Sequence, residues 1–273
     1  MSSLNPLRIR TLIGKELREF RSNPSSVLPV AILVVICVAL PFFVLIVIPH
    51  MTGQSLAADH TIRQIVAVAS LTQPSLTWLS PEGAAQAFLF QQFLLLFLVA
   101  PIVGAVSLAS YSVVGEKQGR TLEPLLTTPV SAPELLISKV LASFLPSVVI
   151  EALGLAAYAA LIGVFAAPGV PAALFSMRSL VMVGLVGPLA SLAALQLTIA
   201  VSSRVNDPRS AQQISVLLVL PLVLMLVGQI AGAFIVTTLM LVVAGLALGM
   251  LWLVLILFSV ALFERETILT RWK

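Results

Sequence analysis

Six runs of this sequence, near residues 28–49, 87–110, 140–165, 179–202, 213–232 and 237–262, are each long enough to cross a lipid bilayer and almost free of charge. A helix rises about 1.5 Å per residue and the hydrocarbon core is about 30 Å deep, so roughly 20 apolar residues make one crossing. Inside hydrocarbon every backbone group must find its partner within the protein, and a run of this length does so as a helix. The last two runs are separated only by the apolar "GAFIV". Read as one they would give five spans, but fifty residues far exceed a single crossing, so six is the expectation.

Composition agrees. The chain is 59% hydrophobic and only 10% charged, where a soluble domain carries about 25% charged residues and needs them to face water. The expected class is an all-α integral membrane protein folded as one domain over 273 residues. Lys and Arg distribution sets its orientation. Arg8, Arg10, Lys15, Arg18 and Arg21 precede the first run, Lys117, Arg120 and Lys139 lie between the second and third, Arg204 and Arg209 between the fourth and fifth, and Arg265, Arg271 and Lys273 in the tail. Only Arg63 and Arg178 fall on the other side. Both termini are therefore expected in the cytoplasm, and the net charge of +4 reflects topology, not nucleic-acid binding. The first run is too long for a signal-peptide core and should remain as an anchor.

The connections are unequal. Residues 1–27 contain "LRIRTLIGKELREFR", in which Ile9, Ile13, Leu17 and Phe20 recur at helical spacing opposite Arg8, Lys15, Arg18 and Glu19. An amphipathic helix of this kind lies on the membrane surface against lipid headgroups or packs on a partner subunit. The external segment 50–86 is the longest connection, with "HTIRQIVAVASL" reading as a short helix and Trp78 as an interfacial anchor. His50 and His60 fall there, but no carboxylate or thiol has ligand spacing to both, which argues against a metal site. The single cysteine, Cys37, excludes an internal disulfide. Gly228–Gly232 and Gly245–Gly249 have the small-residue spacing that lets helices pack closely.

The cytoplasmic connection 111–139 is the most charged internal stretch. "TLEPLL" has an apolar edge of Leu122, Leu125 and Leu126, and Ser131 with Glu134 forms a capping box that starts a new helix leading into the third run. A solvated loop needs no such edge, whereas a docking element does. The sequence Glu116, Gly119, Arg120, Thr121, Leu122, Glu123, Leu125, Leu126, Pro129, Val130, Ser131, Glu134, Leu135, Leu136 and Lys139 resembles the signature of ABC-2 type permeases, the membrane subunits of one class of ATP-binding-cassette exporters. "KELREFRSNP", "SSRVNDPRSAQQ" and "LLVLPLVL" are similar to that family as well.

The resemblance implies a type V exporter-like bundle of six spans with an N-terminal interfacial helix, in a prokaryotic cytoplasmic membrane. It implies that residues 111–139 carry a coupling helix docking on a cytoplasmic ABC ATPase subunit. Leu122, Leu125 and Leu126 would make its apolar contacts, Glu116, Arg120 and Glu123 its polar ones, with Gly119, Thr121 and Pro129 in the same motif. Arg120 and Glu123 pairing with loops of this chain is the alternative. No GxxxxGK[ST] phosphate loop is present, so the chain is expected to bind no cofactor, with ATP and Mg on the partner ATPase. A second permease copy or a paralogue would complete the assembly. The external segment between the first two runs resembles the branch with an external domain there, rather than branches with re-entrant helices before the last span.

Glu151 is the one formal charge deep within a run, twelve residues beyond Lys139, about 18 Å along a helix. An acid at that depth marks a substrate path by default, with Tyr158 and Gln196 as further polar points. It reads equally as structural glue bonded to Tyr158, Gln196 or Ser191. A single such acid argues against the other two classes weighed, an ion-coupled secondary carrier and a polytopic membrane enzyme, and neither shows a carboxylate cluster or catalytic constellation. The apolar lining suits a lipid, a drug-like molecule or a peptide; that such a molecule or an ionic substrate is exported is what the resemblance implies.

Overall fold

A computed structural model describes residues 5–22, 24–118, 131–202, 205, 207–217, 220–230 and 236–262, and every regular element among them is helical. Helix α1 spans Pro6–Ser22. Helix α2, Pro24–Phe42, runs through a π turn at Phe43–Val47 into α3, Ile48–Thr52, where Gly53 ends it with a left-handed φ of 66°. That conformation costs glycine nothing and would strain any other residue. Outside this first span lies α4, His60–Thr72, capped by Asp59, whose Oδ1 accepts from Thr61 N at 2.8 Å and Ile62 N at 3.1 Å. Helix α5, Pro81–Gln118, and α6, Ala132–Phe165, are the two longest described. Short helices α7, Val170–Leu174, and α8, Met177–Val181, lead through a second π turn, Met182–Val186, into α9, Gly187–Ser202. Then come α10, Pro208–Val216, α11, Leu220–Ile230, and α12, Thr238–Leu262.

Among the described residues, five helical stretches are long and apolar enough to cross a membrane: Val27–Thr52, Pro81–Glu116, Pro133–Phe165, Met177–Ser202 and Thr238–Val260. The run expected over 213–232 is divided between α10 and α11, with residues 218–219 and 231–235 outside the described set. The second π turn has a local cause. The ring of Pro188 presses on the carbonyl four residues back, that of Gly184, which lies inside the turn. One wide turn absorbs the clash without ending the helix.

Helix α5 is the hub. It packs against α2, α6, α9, α10 and α11, and 78% of its most apolar stretch is buried inside the chain, against 11% for α12. A helix surrounded on all sides must be apolar all round and narrow where neighbours cross. Gly104 supplies the narrow point: a Cβ there would stand 2.8 Å from Ser147 Oγ on α6 and 3.1 Å from Val30 Cγ1 on α2. A Cβ on Gly154 of α6 would collide with Val34 of α2. The Gly245–Gly249 pair seats α12 on the fourth span within this chain, Gly245 against Leu185 and Gly249 against Leu189. Phe42, Phe90 and Phe97 surround Tyr158 or one another with ring centroids 5.0 to 5.8 Å apart, in tilted and edge-on arrangements that aromatic quadrupoles favour.

The buried stripe of α1 differs from the one read in the sequence. Phe20 and Glu16 are buried and Ile13 is half-buried, while Leu17 is 41% exposed. The helix turns an acid inward because its partner is waiting on another element.

Candidate functional site

The connection expected to dock an ATPase is mounted on the ends of α5 and α6. Its central part, with Gly119, Arg120, Thr121, Leu122, Glu123, Leu125, Leu126 and Pro129, lies outside the described residues. Its two footings are described, and both are tied to α1.

The first tie is a buried charge cluster. Lys139 of α6 is 1% exposed, and an ammonium has three protons to place. Its Nζ lies 2.9 Å from Glu16 Oε1 of α1, 2.8 Å from Glu116 Oε2 of α5, and 2.7 Å from Ser112 Oγ of α5. Lys15 of α1 reaches the other Glu116 oxygen at 2.5 Å and Glu19 at 3.6 Å. Two lysines thus face the two buried carboxylates, so the cluster is close to neutral. Burying any one of these charges alone would be costly, and only the full set offsets the loss of water. For Lys15, burial acts to lower the ammonium pKa, but the hydrogen bond and charge of Glu116 outweigh it and raise the value above 10.5.

The second tie uses Glu134 at the start of α6. The capping box read from Ser131 and Glu134 is present: Ser131 N donates to Glu134 Oε2 at 2.8 Å and Glu134 N to Ser131 Oγ at 3.4 Å. The other carboxylate oxygen accepts from Asn5 N at 2.8 Å, and Arg8 Nη1 lies 3.9 Å from Oε2. One glutamate therefore caps α6 and anchors the beginning of α1. Helix α10 joins the same end of the bundle through Gln212 Nε2, which donates to Ser110 Oγ at 3.0 Å.

Glu116, which the sequence suggests as a polar contact for the ATPase, has its carboxylate engaged by Lys15 and Lys139 of its own chain. Sequence reasoning missed Lys15, Glu16 and Asn5 as members of this site. The only signal was an acid next to the apolar stripe of α1, and its partner lies more than a hundred residues away.

Among the described residues no hydrogen bond joins the side chains that the sequence suggests for an intramembrane path. Tyr158 is fully buried and its hydroxyl donates to Phe90 O at 2.9 Å, not to Glu151. Ser191 Oγ donates to Gly187 O and Pro188 O, both at 3.0 Å. Gln196 is buried on α9. Glu151 is 4% exposed, and its Oε1 has no hydrogen-bond partner among the described residues. A Cβ on Gly187 of α9 would lie 3.8 Å from that oxygen. Among the described residues no group of three His, Cys, Asp or Glu could hold a metal ion.

Comparison with curated proteins and with solved structures finds no match. The family model of the ABC-2 family transporter protein matches residues 10–263, which takes in most of α1, both footings of the loop and each of the apolar spans described. The chain belongs to the ABC-2 family of transporters and is a multi-pass membrane permease of that family.

Proposed function

We propose that the chain is the membrane subunit of an exporter driven by a separate cytoplasmic ABC ATPase, which docks on residues 119–130. The observation that carries this reading is the footing of that segment. A docked element transmits a motor's rotation only if its base is rigid, and here the base is a buried four-charge cluster plus a shared helix cap. Glu116 then holds the mount, while Leu122, Leu125, Leu126, Arg120 and Glu123 make the docking contacts.

In this reading α11, with the end of α10, forms the fifth crossing and brings the total to six, both termini are cytoplasmic, and α1 lies along the inner membrane surface. Two permeases, identical or paralogous, work with two ATPases that carry ATP and Mg. The apolar bundle supports a lipid, drug-like or peptide substrate moved outward. Purifying the tagged chain in mild detergent, as wild type and as Glu123→Arg, tests the proposal. An ATPase subunit should accompany the wild type, and the substitution should release it or disconnect hydrolysis from transport. If no nucleotide-binding protein accompanies the wild type, and Glu123→Arg changes nothing, the reading fails.

A further inference from the structure

At the outer end of the bundle a buried arginine lacks a countercharge. Arg178 is 6% exposed, in the first turn of the Met177–Ser202 span. Its Nη2 donates to Gln92 Oε1 of α5 and to Gln229 Oε1 of α11, each at 3.3 Å. One orientation of the Gln229 amide suits all its neighbours: the oxygen accepts from Val236 N and from Arg178 Nη2, both at 3.0 Å, and the nitrogen faces Gln92 Oε1. Arg178 Nη1 is buried with no hydrogen-bond partner, and no ion pair reaches Arg178 among the described residues.

Glutamine oxygens can satisfy N–H groups, but they leave the positive charge uncompensated. Retaining it in a dry position is costly, and the positive end of the helix dipole adds to that cost. The acids on this side of the chain are engaged elsewhere. Glu82 accepts from Ser55 Oγ and from Leu56 and Ala57 N, and Asp59 caps α4. The outward-facing side chains beside Arg178 in sequence are apolar: Phe175, Met177 and Leu180 are 65%, 69% and 57% exposed. A guanidinium whose Nη1 meets no hydrogen-bond acceptor among the described residues, in the first turn of a span and beside apolar side chains, has the chemistry to take an oxyanion carried by an amphiphile.

We propose that Arg178, oriented by Gln92 and Gln229, binds the anionic phosphate of a lipid-like molecule at this end of the bundle. The binding site stands on this chain alone. That the anion belongs to the transported molecule rests on the exporter reading, so the test needs neither ATPase nor transport.

The full chain in a neutral maltoside detergent is titrated with short-chain phosphatidylglycerol, with diacylglycerol of the same chains, and with inorganic phosphate, while thermal unfolding is followed. Phosphatidylglycerol should raise the midpoint saturably and diacylglycerol should not, and Arg178→Gln should weaken that binding by about ten-fold or more, as expected for one charged hydrogen-bonding partner. Inorganic phosphate giving the full shift would still support the anion site, with the free ion as occupant. Should Arg178→Gln fail to fold, Arg178→Lys replaces it: the charge stays but the paired donors go, and affinity must fall below wild type. The proposal is overturned if no anion shifts the wild type, if diacylglycerol matches phosphatidylglycerol, or if a folded Arg178 variant keeps wild-type affinity.

Discussion

Lys139 donates to Glu16 and Ser112 and forms an ion pair with Glu116, and so joins α1, α5 and α6 at one atom. Lys139→Met would leave two carboxylates buried together with only Lys15, itself 37% exposed, to offset them. We expect a loss of about 3–5 kcal/mol, the usual effect of breaking one side of a buried pair, read as a lower midpoint of thermal unfolding in detergent. Lys15→Met should cost no more than about 1 kcal/mol, because its partly exposed charge is screened by solvent. The Lys15 pKa is raised in the folded chain, so its contribution is complete below 10.5 and is lost only as pH climbs through the raised value. Unfolding midpoints of wild type and Lys15→Met should therefore differ by a constant amount from pH 7 to about 10. A gap that closes within that range would contradict the assignment. At Tyr158, removing the hydroxyl by Tyr158→Phe should cost about 1 kcal/mol for the bond to Phe90 O. Tyr158→Ala should cost about 3–5 kcal/mol for the cavity left among three phenylalanines.

Among the helices, α5 has the least room to change. Gly104→Ala places a methyl 2.8 Å from Ser147 Oγ and 3.1 Å from Ser147 Cβ and Val30 Cγ1, so α2 and α6 must both give way. Overpacking of this kind costs about 1–3 kcal/mol, whereas Gly163→Ala, with nothing within 4 Å, should be neutral or slightly stabilising. Comparing the two unfolding midpoints checks the claim. This contrast also marks what the sequence can disclose. Apolar length is a one-dimensional property, so the runs at 28–49, 140–165, 179–202 and 237–262 stand out directly and the helices lie on them. The ends of α5 do not. The run reads as 87–110, but the helix occupies Pro81–Gln118, because Ser112 and Glu116 find partners on α6 and α1 and the helix continues past the apolar stretch. The face of α1 was misread for the same reason: Ile9, Ile13, Leu17 and Phe20 make a regular stripe, while the inward turn of Glu16 is decided by Lys139. Ser131 and Glu134 were legible because a capping box is local, but the second use of Glu134, by Asn5, is not local at all. Arg178 reads as an ordinary outer-side cation until Gln92 and Gln229 are seen beside it.

For the whole molecule, orientation is the property with the widest consequences. With Cys37, buried in the first span, replaced by alanine, single cysteines at Trp78 and Asp207 report opposite faces of the membrane. Both positions are exposed. A membrane-impermeant maleimide applied to intact cells should label Trp78→Cys and leave Asp207→Cys unlabelled until the cells are opened. The reverse pattern would invert the proposed topology and move the ATPase reading to the wrong side.

The cluster around Lys139 also sets an order of events during synthesis. Glu16 leaves the ribosome 123 residues ahead of Lys139. At the usual 5–20 residues per second, that is an interval of about 6–25 s. Throughout it α1 holds an acid on the face that will later be its inner one, with the counter-ion not yet made. Helix α1, translated before the spans, is thus among the last elements to settle, and its docking reports that the third span has been inserted in register.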